Sequence, residues 1–551
     1  MTPNTLYYGD NLDVLRRHVK DESVDLVYLD PPFNSNANYN VLFAEHGEKA
    51  AAQVKAFTDT WEWNTEARAA YEEVVESGGR VAEAMRAFRT LLGASDMLAY
   101  LSMMAPRLVE LRRVLRPTGS LYLHCDPTAS HYLKLLLDGI FGPQSFRNEI
   151  AWKRTSAHND PKRYGRVHDV LLFYSRSPSA TWNAQFAEKT DEYLKSHDFM
   201  REPDGRLYRL RDLTAPAHGR DTGQFEWNDR RPPQGRMWAY TEENMHKLVA
   251  AGLVAYTRTG YPRLKRYVDE LPDGVVLQDV WTDINPINSG SREKLGYPTQ
   301  KPLALLDRIV NASSNPGDIV LDPFCGCGTA IDAAQGLGRR WIGIDITHLS
   351  IGLIKHRLVG RYGPEIASTY RVVGEPTTAD DAAVLAREDP FQFQAWALGL
   401  VGARIAGSAK KGGDKGIDGK LYFHYADGGP TKQVVFSVKA GKLVPAYVRD
   451  LRGVLERESA EIGVLLSFEE PSAGMRSEAA EAGFYESPWG RHPRIQLRTI
   501  RELLDGKGID YPHVTGANVT HRRAQRARAA GAEAIELFGR AAEKPESYGS
   551  E

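Results

Sequence analysis

The run Val24-Asp25-Leu26-Val27-Tyr28-Leu29 ends abruptly in Asp30-Pro31-Pro32-Phe33. Its apolar and β-branched residues predict a short buried strand, and two consecutive prolines cannot continue a hydrogen-bond ladder. A carboxylate, a carbonyl outside the ladder and an aromatic ring therefore meet at one strand's carboxyl end. Open α/β sheets bind ligands at that edge. The same residue types also make plain strand-ending turns, so the surrounding chain has to decide.

The surroundings repeat the pattern. Thr5-Leu6-Tyr7-Tyr8 predicts a strand that closes in Gly9-Asp10-Asn11, and a helix over about 12–19 leads into Val24–Leu29. That is a strand–helix–strand unit aimed at Asp30. The polar stretch 34–40 reads as a mobile loop. Residues 50–116 carry Ala, Glu, Arg and Leu at helical spacing and end in a helix over 97–115. Pro117-Thr118-Gly119 turns the chain into a strand over 120–124, followed by a helix over 130–141 and strands over 149–153 and 170–174. After Tyr297 come a helix over 303–312, a strand over 319–321, a loop Asp322–Thr329, a helix to about 337, a strand over 341–345 and a helix over 350–361. This alternation predicts an α/β fold.

The loop Asp322-Pro323-Phe324-Cys325-Gly326-Cys327-Gly328-Thr329 joins a buried strand to a helix. Its glycines let the backbone approach a ligand and adopt positive φ. Asp345 ends the next strand, placed to accept hydrogen bonds from two ribose hydroxyls. Any adenosine cofactor suits that spacing. A nicotinamide dinucleotide fits less well: Gly-Cys-Gly-Thr lacks the third glycine, and Asp322 would oppose a pyrophosphate. A carboxylate there suits the α-amino group of a methionine moiety.

At 551 residues the chain exceeds one core and predicts about two to four domains. The formal charge of -1 excludes a global nucleic-acid-binding field, so any basic surface must be local. No apolar run reaches the roughly 18 residues of a membrane helix, and the amino terminus does not read as a signal peptide. Three cysteines, Cys125, Cys325 and Cys327, are too few for a disulfide framework and lack a second pair for zinc. A cytoplasmic protein with reduced thiols is expected. Residues 176–290 are rich in Arg, Trp, Tyr, Gly and Pro without clean periodicity. They read as an irregular insertion held by aromatics, or as a region that contacts DNA through arginines. Residues 374–381 read as a linker, 390–512 as a separate α/β unit, and the Arg/Ala-rich tail as a fraying helix.

Asp30-Pro31-Pro32-Phe33 resembles the catalytic tetrapeptide of the amino-group DNA methyltransferases. Asp322–Thr329 resembles their S-adenosylmethionine loop, and Tyr297-Pro298-Thr299-Gln300-Lys301-Pro302 the element that holds the methionine end of the cofactor. Gly9-Asp10 resembles the element whose Asp bonds the adenine. With the tetrapeptide first and the cofactor loop nearly three hundred residues later, the order is that of the circularly permuted β group, many of which form homodimers. The resemblance covers about residues 4–375. It implies a Rossmann-like S-adenosylmethionine-dependent methyltransferase fold with a target-recognition insertion: catalytic half 1–176, target-recognition region 177–290, cofactor half 291–375. It further implies double-stranded DNA as partner, a base flipped from the duplex, and no membrane association. The catalytic residues are then Asp30, Pro31, Pro32 and Phe33, with Phe33 stacking on the base. The cofactor residues are Asp10, Thr299, Lys301, Asp322, Pro323, Phe324, Gly326, Gly328, Thr329 and Asp345, with no metal. Asp30 in the first position favours adenine N6 over cytosine N4, and both remain open.

In the carboxy-terminal unit, Asp418, a hairpin, then Ser437 and Lys439 resemble the Mrr-like branch of the PD-(D/E)xK nucleases over roughly 390–500, implying a second, smaller restriction-endonuclease-like domain at 385–512 ahead of the tail 513–551. In that family an Asp and an acidic or Gln residue hold Mg²⁺. Ser437 replaces the second of these, and Gln392 and Gln394 stand where a helical Glu is common. One carboxylate with a hydroxyl is a weak Mg²⁺ site. The expected whole is a DNA amino-methyltransferase from a restriction–modification setting. A single-chain enzyme that also cuts DNA with Mg²⁺, and a non-enzymatic DNA-binding module, are the alternatives.

Overall fold

The computed structural model describes residues 4–32, 63–156, 162–187, 199–217, 223–270, 274–288, 290–291, 293–295, 297, 299–406, 416–423, 431–488 and 490–512. Phe33, the expected loop 34–40 and the tail 513–551 lie outside the described residues. The chain forms two compact units, Ala184–Gln278 and the remainder. No described helix is long and apolar enough to cross a membrane.

The larger unit is built on a nine-stranded sheet. Its order is Val280–Trp281, Phe146–Lys153, His168–Ser175, Leu115–Cys125, Val24–Leu29, Ile319–Asp322, Arg340–Asp345, Asn4–Tyr8, Tyr370–Val373. His168–Ser175 runs antiparallel to both neighbours, and all other pairings are parallel. All six residues of Val24–Leu29 are buried, as a central parallel strand covered on both faces requires. Val27 and Leu29 pack into one apolar layer with Leu101, Met104 and Leu108 of the helix Asp96–Val114. Leu26 and Tyr28 enter the opposite layer with Leu305, Ile309 and Ile331. The charge inside the run is compensated: Asp25 accepts hydrogen bonds from Arg116 at 2.7 Å and from the Ile319 N–H at 2.8 Å.

Most expected elements are present. The helical stretch resolves into Thr65–Glu76, Gly79–Leu92 and Asp96–Val114, with 50–62 outside the described residues. Pro117-Thr118-Gly119 lies within one long strand, Leu115–Cys125, as an irregularity: Val24 pairs with Leu115 while Leu26 already pairs with Ser120. Three further readings are corrected. Strand Tyr370–Val373, not foreseen, extends the sheet beside Asn4–Tyr8. The linker 374–381 is cut short because Thr378 and Asp381 form a reciprocal capping box that starts the helix Ala379–Glu388. The supposedly irregular insertion contains regular elements. Ala184–Gln278 holds a four-stranded sheet, two strand pairs, the helix Glu242–Ala250 and its own core of Leu213, Trp227, Trp238, Met245 and Leu264. Its short strands leave too little alternation for a periodicity to emerge.

Residues beyond Ala379 add helices and a five-stranded sheet, Arg404–Ile405, Gly419–Phe423, Lys432–Lys439, Ile462–Ser467 and Ile495–Thr499, with its own core around Phe393, Phe436 and Val464. The helix Pro390–Leu400 is capped by Asp389. Its buried Gln392 accepts the His348 N–H at 3.1 Å, tying this part of the chain to the helix His348–Tyr362.

Candidate active site

Val24–Leu29 and Ile319–Asp322 are nearest neighbours in the sheet, with Leu321 opposite Val27. From the first strand the sheet continues to Leu115–Cys125, from the second to Arg340–Asp345, in opposite directions. A crevice outside the carboxyl ends follows from that divergence. Asp30 and Asp322, nearly three hundred residues apart in the chain, both line it.

The crevice is a cavity of about 370 Å³. Asp10, Asp30, Pro31, Pro32, Thr299, Lys301, Asp322, Pro323, Phe324, Gly326, Thr329 and Asp345 all line it. Of the residues singled out for a methyltransferase site, only Gly328, off its wall, and Phe33, outside the described residues, are not on it. Gly328 shapes the turn instead: its φ is +76°, and its N–H donates to the Cys325 carbonyl at 2.7 Å. Ser437 and Lys439 belong to the carboxy-terminal sheet, Asp418 directly precedes its strand Gly419–Phe423, and none of the three lines this cavity.

The loop is held by its neighbours. The Gly326 N–H donates to Asp345 Oδ2 at 2.9 Å, and the Thr347 N–H and hydroxyl both donate to Oδ1 at 2.9 Å. A Cβ on Gly326 would meet the Tyr297 ring at 3.2 Å, so glycine permits that approach. The Thr329 hydroxyl accepts from buried Arg357 at 3.1 Å, and Arg357 is itself paired with Asp332 at 2.8 Å. At the other wall, Asp10 caps the helix Asn11–His18 through the Leu12 N–H and pairs with Arg107 at 2.6 Å. Asn11 takes the Arg107 Nε–H at 2.6 Å and donates to the Pro323 carbonyl at 2.8 Å, fastening both loops together.

Lys301 was expected at the methionine end of a cofactor, but its ammonium pairs directly with Asp30. Burial pushes the Asp322 carboxyl well above the usual carboxylate range, against the Phe324 N–H, which stabilises its charge. Burial also raises Asp345, against its bonds from Thr347 and Gly326. A bound cation would offset both.

A second set of residues on the wall was not anticipated. The Tyr28 hydroxyl meets His124 Nδ1 at 3.0 Å, His124 Nε2 meets Asp169 Oδ2 at 3.1 Å, and Arg154 pairs with Asp169 at 3.0 Å. Tyr28, Trp152, Arg154 and Asp169 line the cavity. Burial would raise Asp169, yet the His124 bond and the charges of Lys301 and Arg154 hold it below the usual range. Two local signals existed: Tyr28 stands two residues before Asp30, and His124 ends a strand. Nothing local indicated that they would meet.

A family model for DNA methylases of the N6/N4 type matches residues 24–355, more than half of the chain. The chain belongs to the DNA methylase family. It is 31% identical over 347 residues to the type II methyltransferase M.EcaI of Enterobacter cloacae, covering 62% of this chain and 66% of that one. It is 29% identical over 354 residues to the StyLTI Mod subunit, a type III restriction-modification enzyme of Salmonella typhimurium, covering 61% and 50%. With the DNA adenine methyltransferase YhdJ of Escherichia coli it shares 23% identity over 368 residues, covering 66% and 85%. The chain thus spans less than two thirds of the length of the first two relatives. Both Asp30 and the Asp322–Thr329 loop fall inside the segment that the family model matches.

Proposed function

We propose that this DNA methylase transfers a methyl group from S-adenosylmethionine to the exocyclic amino group of a base flipped out of duplex DNA, adenine N6 in preference to cytosine N4, in a restriction–modification setting. One observation carries the reading: the Asp30-Pro31-Pro32 strand end and the Asp322–Thr329 loop open into one cavity. The wall is rich in carboxylates, which suits a cofactor bearing a sulfonium and an ammonium. Asp322, buried and, among the described residues, without an ion pair, would hold the ammonium, and Asp345 with the Gly326 turn the ribose. Asp10, already bonded to Arg107, would face the adenine.

When bound, S-adenosylmethionine supplies an electrophilic methyl group. The target nitrogen's lone pair is delocalised into its ring, so the chain must localise it. Asp30 and the Pro31 carbonyl would accept the two amino hydrogens and draw the nitrogen towards tetrahedral geometry, and the cavity wall would fix its orientation. Lys301 positions the Asp30 carboxylate. Tyr28, through His124 and Asp169, fixes the wall on which the base rests, with Phe33 as the stacking ring. The product nitrogen loses its proton readily after transfer, so Asp30 need not be a strong base.

The adenine preference is supported by the Asp in Asp30-Pro31-Pro32-Phe33 and by the named activity of the Escherichia coli relative. The motif order supports membership of the permuted β group and, through it, residues 177–290 as target-recognition region and a homodimer, while three cysteines without a disulfide framework support a cytoplasmic setting. The test is incubation with labelled S-adenosylmethionine and unmodified genomic DNA, followed by mass spectrometry of the nucleosides. N6-methyladenine is expected, and Asp30→Ala should lower the rate by about a thousandfold or more. Label-free DNA would overturn the reading, and N4-methylcytosine lost in the same variant would overturn the choice of base.

For the carboxy-terminal unit we propose a nuclease-like fold that does not cleave DNA. Asp418 accepts from Gln394 Nε2 at 3.1 Å and from the Val438 N–H at 2.6 Å, and lies 3.9 Å from Lys439. Gln394 rather than Gln392 faces it. Among the described residues no group of three His, Cys, Asp or Glu side chains could hold a metal. Mg²⁺ would enter only if this unit cleaves DNA.

A further inference from the structure

The four-stranded sheet within Ala184–Gln278 is charged differently on its two faces. Strands Leu207–Asp212 and Pro262–Tyr267 pair antiparallel, with Asp212 opposite Arg263, Leu210 opposite Lys265 and Tyr208 opposite Tyr267. On that face each cation has a carboxylate: Arg263 pairs with Asp212, and Lys265 with Glu202 at 2.5 Å. Arg206, over the Tyr267 ring, pairs with Asp269 at 3.2 Å.

The other face is different. Arg209 stands directly opposite Arg266, and Arg211 opposite Leu264. Arg201, opposite Leu207, shares this face. Among the described residues no carboxylate pairs with Arg209, Arg211 or Arg266, and Arg209 Nε is buried without a hydrogen-bond partner. Arg201, Arg211 and Arg266 are exposed. Like charges facing each other across a ladder, roughly 5 Å apart at Cβ, disfavour the pairing. The arrangement is relieved when an anion lies across it.

Resting on the DNA-methyltransferase reading, we propose that the exposed part of this face, beside Leu264, which the unit's own core covers, binds the phosphate backbone of duplex DNA, with Arg201, Arg209, Arg211 and Arg266 as charge contacts rather than base readers. Arg209 and Arg211, two residues apart on one strand, are separated by roughly 7 Å, about the distance between neighbouring phosphates along one DNA strand.

The test measures affinity for a labelled mixed-sequence duplex as a function of salt, using the full chain with cofactor present. Each neutralised phosphate contributes a slope of about −0.9 in log K against log salt. Arg211→Gln with Arg266→Gln, both at exposed positions, should flatten the slope by about 2 and weaken binding equally on all sequences. Arg211→Lys with Arg266→Lys should keep the slope, since a point charge suffices for phosphate. An unchanged slope in the Gln variant overturns the proposal. So does a loss confined to particular sequences in the Lys variant, which would make these arginines base readers. A wild-type protein that shows no salt-dependent duplex binding would overturn the methyltransferase reading itself, a separate result. Arg209→Gln is measured alone, with its melting temperature, because its Nε is buried.

Discussion

Side chains in the cavity are held mainly by one another. Asp30 is paired with Lys301, Asp10 with Arg107, and Asp169 with both His124 and Arg154. A buried carboxylate without a direct ion pair among the described residues behaves differently. Asp307, on the helix Leu303–Ser313, is pushed up to about 6 by burial, with Arg361 pulling the other way. An acid whose folded value lies above its unfolded one binds more protons in the native state. Stability therefore falls as pH rises from about 4 to about 6, and the loss is full above that window. Asp307→Asn should remove this dependence and gain about 2 kcal/mol at neutral pH, less near pH 4, in thermal melts at the two pH values. An equal shift at both would refute the assignment.

Among the elements, the turn into the helix Thr329–Gly336 carries the most constraint. Gly328 sits at φ +76°, and a Cβ there would meet Ile354 Cγ1 at 2.7 Å. Gly328→Ala should lower stability by about 1–3 kcal/mol and weaken cofactor binding, because the Cys325–Gly328 turn would have to open. Calorimetric titration with S-adenosylmethionine beside a thermal melt checks both. The glycine pair was legible in the sequence because positive φ is a local demand. The dependence of Gly326 on Tyr297 and of Gly328 on Ile354 was not, since those partners arrive from other elements.

For the whole molecule, the sheet order matters most. It places Val24–Leu29 beside Ile319–Asp322 and so turns two distant Asp-Pro strand ends into one site. The carboxy-terminal unit is docked through Gln392 to the helix that follows Asp345. Its Asp418 is surrounded by a Gln amide, a backbone N–H and a Lys, a poor setting for a divalent cation. With millimolar Mg²⁺ and unmethylated duplex DNA the chain should produce no nicks, and its melting temperature should not rise. Cleavage abolished by Asp418→Ala would reverse that conclusion.

Most strands of the nine-stranded sheet, the strand-ending Asp-Pro steps, the glycine turn and most helices around them were determined by the sequence itself. Prolines, glycines and apolar runs act on their own backbone or through the pattern of one strand. The tertiary structure alone decided that Lys301 reaches Asp30, that His124 links Tyr28 to Asp169, and that Gln394 rather than Gln392 faces Asp418. It alone decided which arginines of Ala184–Gln278 share a face. Strand register sets that, and a slip of one residue would turn every side chain to the opposite side.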